Sequence, residues 1–174
     1  MQHTVTRAYQ SYAHAKNVVE AIESAKIPGA DISIVAHDGG EGSNAAGGAG
    51  IGGAIGGAAG LLAGIGLLAI PGIGPVVAAG WLASTAAGAT VGAMTGGLVG
   101  ALTTSGVDEE DAHYYAETLR RGGAVVSTRV SDPYVDDVEA IMDRFSPYDK
   151  HAQIEAYRST GWKRFDETQP PYTR

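Results

Sequence analysis

The chain has no cysteine. That single absence removes disulfides, thiolate metal sites and a cysteine nucleophile. It is also short of positive charge, with 12 Lys and Arg against 19 Asp and Glu and a net charge of −7. A nucleic-acid binder needs clustered cations to neutralise phosphates. Here the basic residues form no stripe, only isolated pairs such as Arg120-Arg121 and Lys163-Arg164, so nucleic acid is not an expected partner. The N-terminus, MQHTVTRAYQSY, has no basic stretch followed by an apolar one, so no secretory signal is expected and the polar part is expected in the cytoplasm. The largest gap is internal. Residues 42 to 107 carry no charged side chain of either sign, and Trp81 is their only aromatic.

Signatures of catalysis are missing as well. No Gly-Lys-Ser/Thr and no Gly-x-Ser-x-Gly occurs, which excludes a P-loop and a nucleophile elbow. The five histidines, His3, His14, His37, His113 and His151, include no His-x-x-x-His pair of the kind that holds zinc on a helix. No metal and no cofactor is expected. Chance matches to Gly-x-Gly-x-x-Gly occur, for example at Gly48, Gly50 and Gly53. A dinucleotide fingerprint also needs an acidic residue about 20 positions on, and that position falls at Leu67-Leu68. Tyr114-Tyr115 and Arg120-Arg121 form a candidate ligand patch; the ordinary reading of such residues on an amphipathic helix is core and solvated face.

What is present divides the chain. Of the 26 glycines, 22 lie between Gly39 and Gly106. The flanks, residues 1–41 and 107–174, read as a discontinuous α/β domain, and residues 42–106 as an insert. In the first flank, residues 3–9 predict a strand. Ser11 is an N-cap for a helix over 11–25, Pro28-Gly29 ends it, and 31–37 predicts a second strand. In the second, Asp108 to Asp111 at the start, Arg120-Arg121 at the end and Gly122-Gly123 beyond specify a helix over 108–121. Residues 124–130 predict a strand. Asp132-Pro133 opens a helix whose apolar face is Val135, Val138, Ile141, Met142 and Phe145. A short strand is predicted over 151–154, and Trp162 and Phe165 anchor the tail. This order suggests a small open sheet with helices, its strands parallel and joined by right-handed crossovers; the alternative is a ferredoxin-like α+β sandwich. Because each flank carries its own caps and apolar faces, the two are expected to fold without the insert.

Within the insert, Gly48, Gly52, Gly56, Gly60 and Gly64 recur every four residues, as do Gly80, Ser84, Gly88, Gly92, Gly96 and Gly100. On a helix such positions stack into a row without side chains, the small-xxx-small device that lets two backbones approach. Ile70-Pro-Gly-Ile-Gly-Pro75 lies between the rows, with Pro71, Gly72, Gly74 and Pro75 shaping a turn. The insert thus reads as an antiparallel glycine-zipper hairpin of two helices, roughly 46–70 and 75–104. At about 1.5 Å per residue either helix matches a hydrocarbon core of roughly 30 Å. Two coverings are open: membrane lipid, or further copies of the chain in a homo-oligomer. A polar flexible linker is the bland alternative, and the Ile, Leu and Val content argues against it.

The run Ser105-Gly-Val-Asp-Glu-Glu-Asp-Ala-His-Tyr-Tyr115, followed by Leu119-Arg-Arg-Gly-Gly123 and Val125-Val126, together with Tyr157-Arg-Ser-Thr-Gly-Trp162, resembles the bacterial general stress protein domain family. Members of that family often carry an apolar glycine-rich insert at this place. The resemblance implies a stress-linked accessory protein with no catalytic residues to assign. Two functions are therefore expected in order: a non-enzymatic protein that self-assembles, or inserts in or sits on the cytoplasmic side of the inner membrane, through the hairpin; and, as the alternative, a small-ligand sensor or enzyme on the α/β part with the hairpin as anchor, which a polar pocket near His37, His113 and Tyr114 would favour.

Overall fold

A computed structural model describes residues 1–37, 66–89, 97–170 and Tyr172. Among them are β1 (Gln2–Tyr9), α1 (Tyr12–Ser24), β2 (Asp31–His37), β3 (Gly66–Ile70), β4 (Gly74–Ala79), α2 (Trp81–Ala89), α3 (Gly97–Thr104), α4 (Glu109–Arg120), β5 (Ala124–Ser131), α5 (Val135–Asp143) and α6 (Lys150–Ser159). A 3-10 turn, Asp132–Tyr134, leads into α5. The α/β class is as the sequence indicates: one open five-stranded sheet with helices around it.

The pairing differs from expectation. The strand order is β1-β5-β2-β4-β3, and every neighbouring pair is antiparallel. Since β1 and β2 both run antiparallel to β5, they share a direction, as a strand–helix–strand unit should. They are not neighbours because β5 lies between them, a split β-α-β arrangement. The reason is burial. Six of the eight β5 residues are buried, Arg129 is half-buried and only Ser131 is exposed, which suits a central strand covered on both faces.

Helices cover both faces, unlike the one-sided ferredoxin-like alternative. On one face α1 and α5 pack their Val18, Ile22, Val138 and Met142 on Val5, Ile34, Val77 and Val126. On the other, α2, α3, α4 and α6 pack Leu82, Leu98, Leu119 and Ile154 on Val35, Val76, Ala78 and Val125. Local signals specify the flanking helices. The Ser11 hydroxyl accepts from His14 N at 3.3 Å, and the Asp108 carboxylate from Glu110 N at 2.9 Å. Gly122 takes φ +92° just past α4, the left-handed residue that ends a helix.

Two predicted elements are corrected. Residues 151–154 are helical, not a strand. Asp149 caps α6 by accepting from Ala152 N at 3.0 Å, and Ile154 and Tyr157, three apart, are its buried residues. The larger correction concerns the helical hairpin. Pro71, Gly72, Gly74 and Pro75 do surround a tight turn, but it joins strands β3 and β4. Gly72 and Gly74 lie at φ +75° and +95°, where a helix cannot continue. Val76-Val77 suits a strand, and β2 offers its second edge, pairing Ile34 with Ala79 through to His37 with Val76. Within the predicted helix 75–104, residues through Ala79 are strand, Gly80 (φ +85°) bends the chain before α2, and Gly97 (φ +44°) stands at the start of α3. Gly48, Gly52, Gly56, Gly60, Gly64, Gly92 and Gly96 lie outside the described residues.

The described part of the glycine-rich stretch is therefore built into the same sheet and core as the flanks. One polar detail locks it there. Ser33, fully buried on β2, donates to Ala79 O at 2.9 Å and accepts from Leu82 N at 3.2 Å. A strand hydroxyl thus caps α2 across the chain.

The turn at Gly72 supports the C-terminal segment. A Cβ there would lie 2.7 Å from Glu167 Cα, whereas one at Gly29, also at positive φ, meets open space. Both alanine substitutions carry the left-handed strain of about 1 kcal/mol, and only Gly72→Ala adds a backbone clash. Gly72→Ala is expected to cost about 2–3 kcal/mol and Gly29→Ala about 1 kcal/mol, read from urea unfolding; equal costs would show that the segment does not rest on this turn.

Candidate functional site

Among the described residues, the polar feature with the most buried charge is the C-terminal end of α4. Glu117 is 1% exposed. It is held by the two residues that a helix places beside it, three and four positions on. Arg120 donates from Nε to Oε2 at 2.9 Å and from Nη2 to Oε1 at 2.9 Å; Arg121 donates from Nε to Oε1 at 2.6 Å. Both arginines also sit where a helix end favours cations.

The segment after α6 folds over this cluster. Gly161, at φ +88°, turns the chain so that Trp162 N donates to Tyr157 O at 3.2 Å. Arg121 lies over the Tyr157 ring at 4.4 Å and donates to Thr160 Oγ1 at 3.1 Å. Trp162 meets the same ring edge-on at 5.8 Å. Tyr157 continues the aromatic column to Tyr114 at 6.1 Å, and Tyr114 to Tyr115 at 5.1 Å. Phe165 is buried in the core beneath. Asp166 closes a turn by accepting from the Thr168 hydroxyl at 2.6 Å and N–H at 2.9 Å, which holds its carboxyl below the ordinary range.

Between α3, α4 and this segment lies an open cleft of about 1060 Å³, lined by Thr103, His113, Glu117, Arg121 and Trp162 among others. The Trp162 Nε1 and His113 Nδ1 atoms are buried and have no hydrogen-bond partner among the described residues; His113 Nε2 faces Glu109 at 3.8 Å. A second cleft of about 550 Å³ opens beside β1 and the start of α4. Its two cations are paired, Arg7 with Asp143 at 2.9 Å and Lys150 with Asp111 at 2.8 Å, while Asp108 and Asp149 cap helices there.

The expected pocket of His37, His113 and Tyr114 is not assembled as one site. His113 lines the larger cleft and Tyr114 the smaller, while His37 ends β2 opposite Val76. Tyr114 and Tyr115 are core residues, and Arg120 and Arg121 are mostly buried, at 12% and 20% exposure, rather than a solvated face. Of the glycine-row residues, Gly80 is the bend before α2. Ser84 is exposed on α2, its hydroxyl turned back to Trp81 O at 2.9 Å. Gly88 is in α2, and Gly100 in α3 borders the larger cleft. Sequence reasoning missed Glu117; the only signal was a Glu three and four residues before an Arg pair. Among the described residues, no group of His, Asp and Glu is placed to hold a metal ion, and no helix is long and apolar enough to cross a membrane. No protein-family model matches the chain, and no curated protein or solved structure matches it.

Two expectations follow from burial. Truncating Glu117 to Ala leaves two partly buried guanidiniums without their carboxylate and should cost about 3–5 kcal/mol. Arg120→Ala, which leaves the Arg121 pair intact, should cost clearly less; a Glu117→Ala loss under about 1 kcal/mol in urea unfolding would show that the carboxylate is not held. The second concerns alkali. Burial pushes the hydroxyls of Tyr9, Tyr114 and Tyr115 up from an ordinary value of 10.0. The unfolded chain then releases protons that the folded one keeps, so stability is full below pH 10 and falls above it, by about 1.4 kcal/mol per pH unit for each such tyrosine. Tyrosinate absorbance should rise together with loss of circular dichroism; free titration of these rings in a still-folded chain would contradict the burial.

Proposed function

We propose that this chain is a non-enzymatic accessory protein that associates with copies of itself, or with a membrane surface, through its charge-free glycine-rich stretch. The observation that carries the reading is the distribution of charge. Residues 42 to 107 lack it entirely, and a stretch of that kind has to be covered by something other than water. In the described portion Ile70, Ile73, Val76, Leu82, Leu98 and Leu102 are buried against the body. That leaves residues 42–65 and 90–96; in the first of these Gly48, Gly52, Gly56, Gly60 and Gly64 keep a four-residue spacing suited to close backbone packing. The stretch enters the body at β3, the last strand in the sheet order, whose Gly-Leu-Leu-Ala-Ile sequence carries no charge to discourage pairing.

The resemblance of residues 105–126 and 157–162 to the general stress protein domain adds the class: a stress-linked protein of the cytoplasm or of the cytoplasmic side of the inner membrane, partnered by itself and by lipid rather than by nucleic acid or metal. A second reading, a ligand-binding domain, is favoured by the larger cleft with its buried ring nitrogens.

Two deletions test the first reading. Removing 44–64 alone spares every described strand and helix, so that variant is expected to fold and to be monomeric by mass photometry, while the full chain is oligomeric or is retained in the membrane pellet after an alkaline carbonate wash. Removing 42–106 takes out β3, β4, α2 and α3 and should leave no cooperative unfolding transition. A full chain that is monomeric in buffer and in detergent, and released by the wash, overturns the proposal.

A further inference from the structure

We infer that the larger cleft is a binding site for a small organic anion, whose charge is met at the Arg120–Arg121 pair and whose acceptor atoms are taken by the Trp162 indole N–H. The inference is independent of assembly, since every group it uses belongs to one chain.

Three observations converge. The first is local charge. Two guanidiniums share a single carboxylate, Glu117, and all three side chains are at most 20% exposed. The triad therefore keeps one positive charge that no neighbouring carboxylate in it offsets, in a setting where an uncompensated charge is costly and a counter-ion is favoured. Arg121 spends its Nε on Glu117 and one Nη on Thr160, leaving further N–H donors of its planar fork for a carboxylate.

The second is the buried donor. Indole Nε1–H can only donate, and in Trp162 it is buried without an acceptor among the described residues. A buried donor left unpaired costs the desolvation of that group, and native interiors keep few of them. The Trp162 ring borders the cleft, so a small turn of the ring would bring this donor to an oxygen acceptor bound there. His113 Nδ1 is in the same condition on the α4 wall.

The third is juxtaposition. The Arg121 guanidinium and the Trp162 ring both rest on Tyr157, at 4.4 Å and 5.8 Å from its centroid. Both side chains line the same cleft. The Trp162 ring and Val99 from α3 add aromatic and apolar surface to a mostly polar lining, which suits an anion carrying a flat organic body. The rim does not steer anions from afar. Glu109, Asp166 and Glu167 outweigh Lys163 and Arg164 there by one charge, which cancels the excess of the triad at long range. Selection is therefore by contact.

The test is a titration of the full, isotope-labelled chain, followed by the indole N–H signals in nitrogen–proton correlation spectra. Benzoate is the probe, benzylamine its charge-reversed counterpart and inorganic phosphate the bare oxyanion. Benzoate is expected to shift the Trp162 signal saturably and leave that of Trp81 in place. Arg121→Gln and Trp162→Phe should each weaken binding about tenfold, and Lys163→Gln on the rim should not; in Trp162→Phe the shift is followed on backbone amides of residues 113–121. If Arg121→Gln proves unfolded, Trp162→Phe carries the comparison alone. Equal binding of benzylamine, a response at Trp81 in place of Trp162, or shifts that never saturate would overturn the site, and phosphate binding as tightly as benzoate would overturn its assignment to an organic anion.

Discussion

The insertion of β5 between β1 and β2 is the constraint on which the rest of the structure depends. Its register with both neighbours, Ala8 and Val35 opposite Val125, Arg7 and Ile34 opposite Val126, fixes which side chains face each helical layer. A slip of one residue would exchange the two faces completely. The polar positions make that slip expensive. Thr6 and Ser127 meet at 2.8 Å within the sheet face that carries α4, and Tyr115 donates to Thr6 O at 2.8 Å. On the opposite face, Arg7 reaches out to Asp143 of α5. Each of these groups is satisfied in one register only.

From that frame the glycine-rich stretch acquires its role in the body. β4 adds to the free edge of β2, and the Ser33 hydroxyl, placed by the β2–β5 pairing, caps α2. The path then returns through α3 to α4. The C-terminal segment crosses both the β3–β4 turn and the end of α4, so the two chemically distinct parts of the chain meet under it. This explains why Gly72 faces backbone at Glu167, and why the cleft has walls from the charge-free stretch and from the charged flank alike.

Legibility followed the range of the interactions. The flanking helices and strands were readable because their signals are local: Ser11 and Asp108 as caps, Gly122 as stop, alternation in residues 31–37. The β-hairpin was not. Glycine every four residues is a helical period, but periodicity alone cannot say whether an edge strand elsewhere is waiting for Val76 to Ala79. The positive φ of Gly72 and Gly74 and the free edge of β2 overrode it, as tertiary context overrides weak propensity. The strand predicted at 151–154 failed for a smaller reason: Asp149 was not read as a cap, although Ile154 and Tyr157 stand at helical spacing. Strand adjacency was misjudged because nothing local tells β5 that it belongs between β1 and β2. Of the cleft, Arg120, Arg121 and Trp162 were visible as residues of interest, while Glu117 and the fold-over of the tail are products of long-range packing.

The buried carboxylate at the end of α4 then poses an energetic question. A charge removed from water is expensive, and a pair or triad in the interior generally returns little net stability compared with apolar side chains of the same volume. A leucine at position 117 beneath two solvated arginines would therefore be an ordinary core solution. What Glu117 supplies instead is direction. Bidentate contact with Arg120 and a 2.6 Å contact with Arg121 fix two long side chains that would otherwise sample many rotamers, and the loss of that freedom occurs on folding rather than on binding. Fixed in this way, Arg121 lies over the Tyr157 ring, and Trp162 is set edge-on against the same ring. The cluster is thus better accounted for as preorganisation of a polar surface than as a stabilising device for the fold, which is the property the anion site proposed at the end of α4 requires.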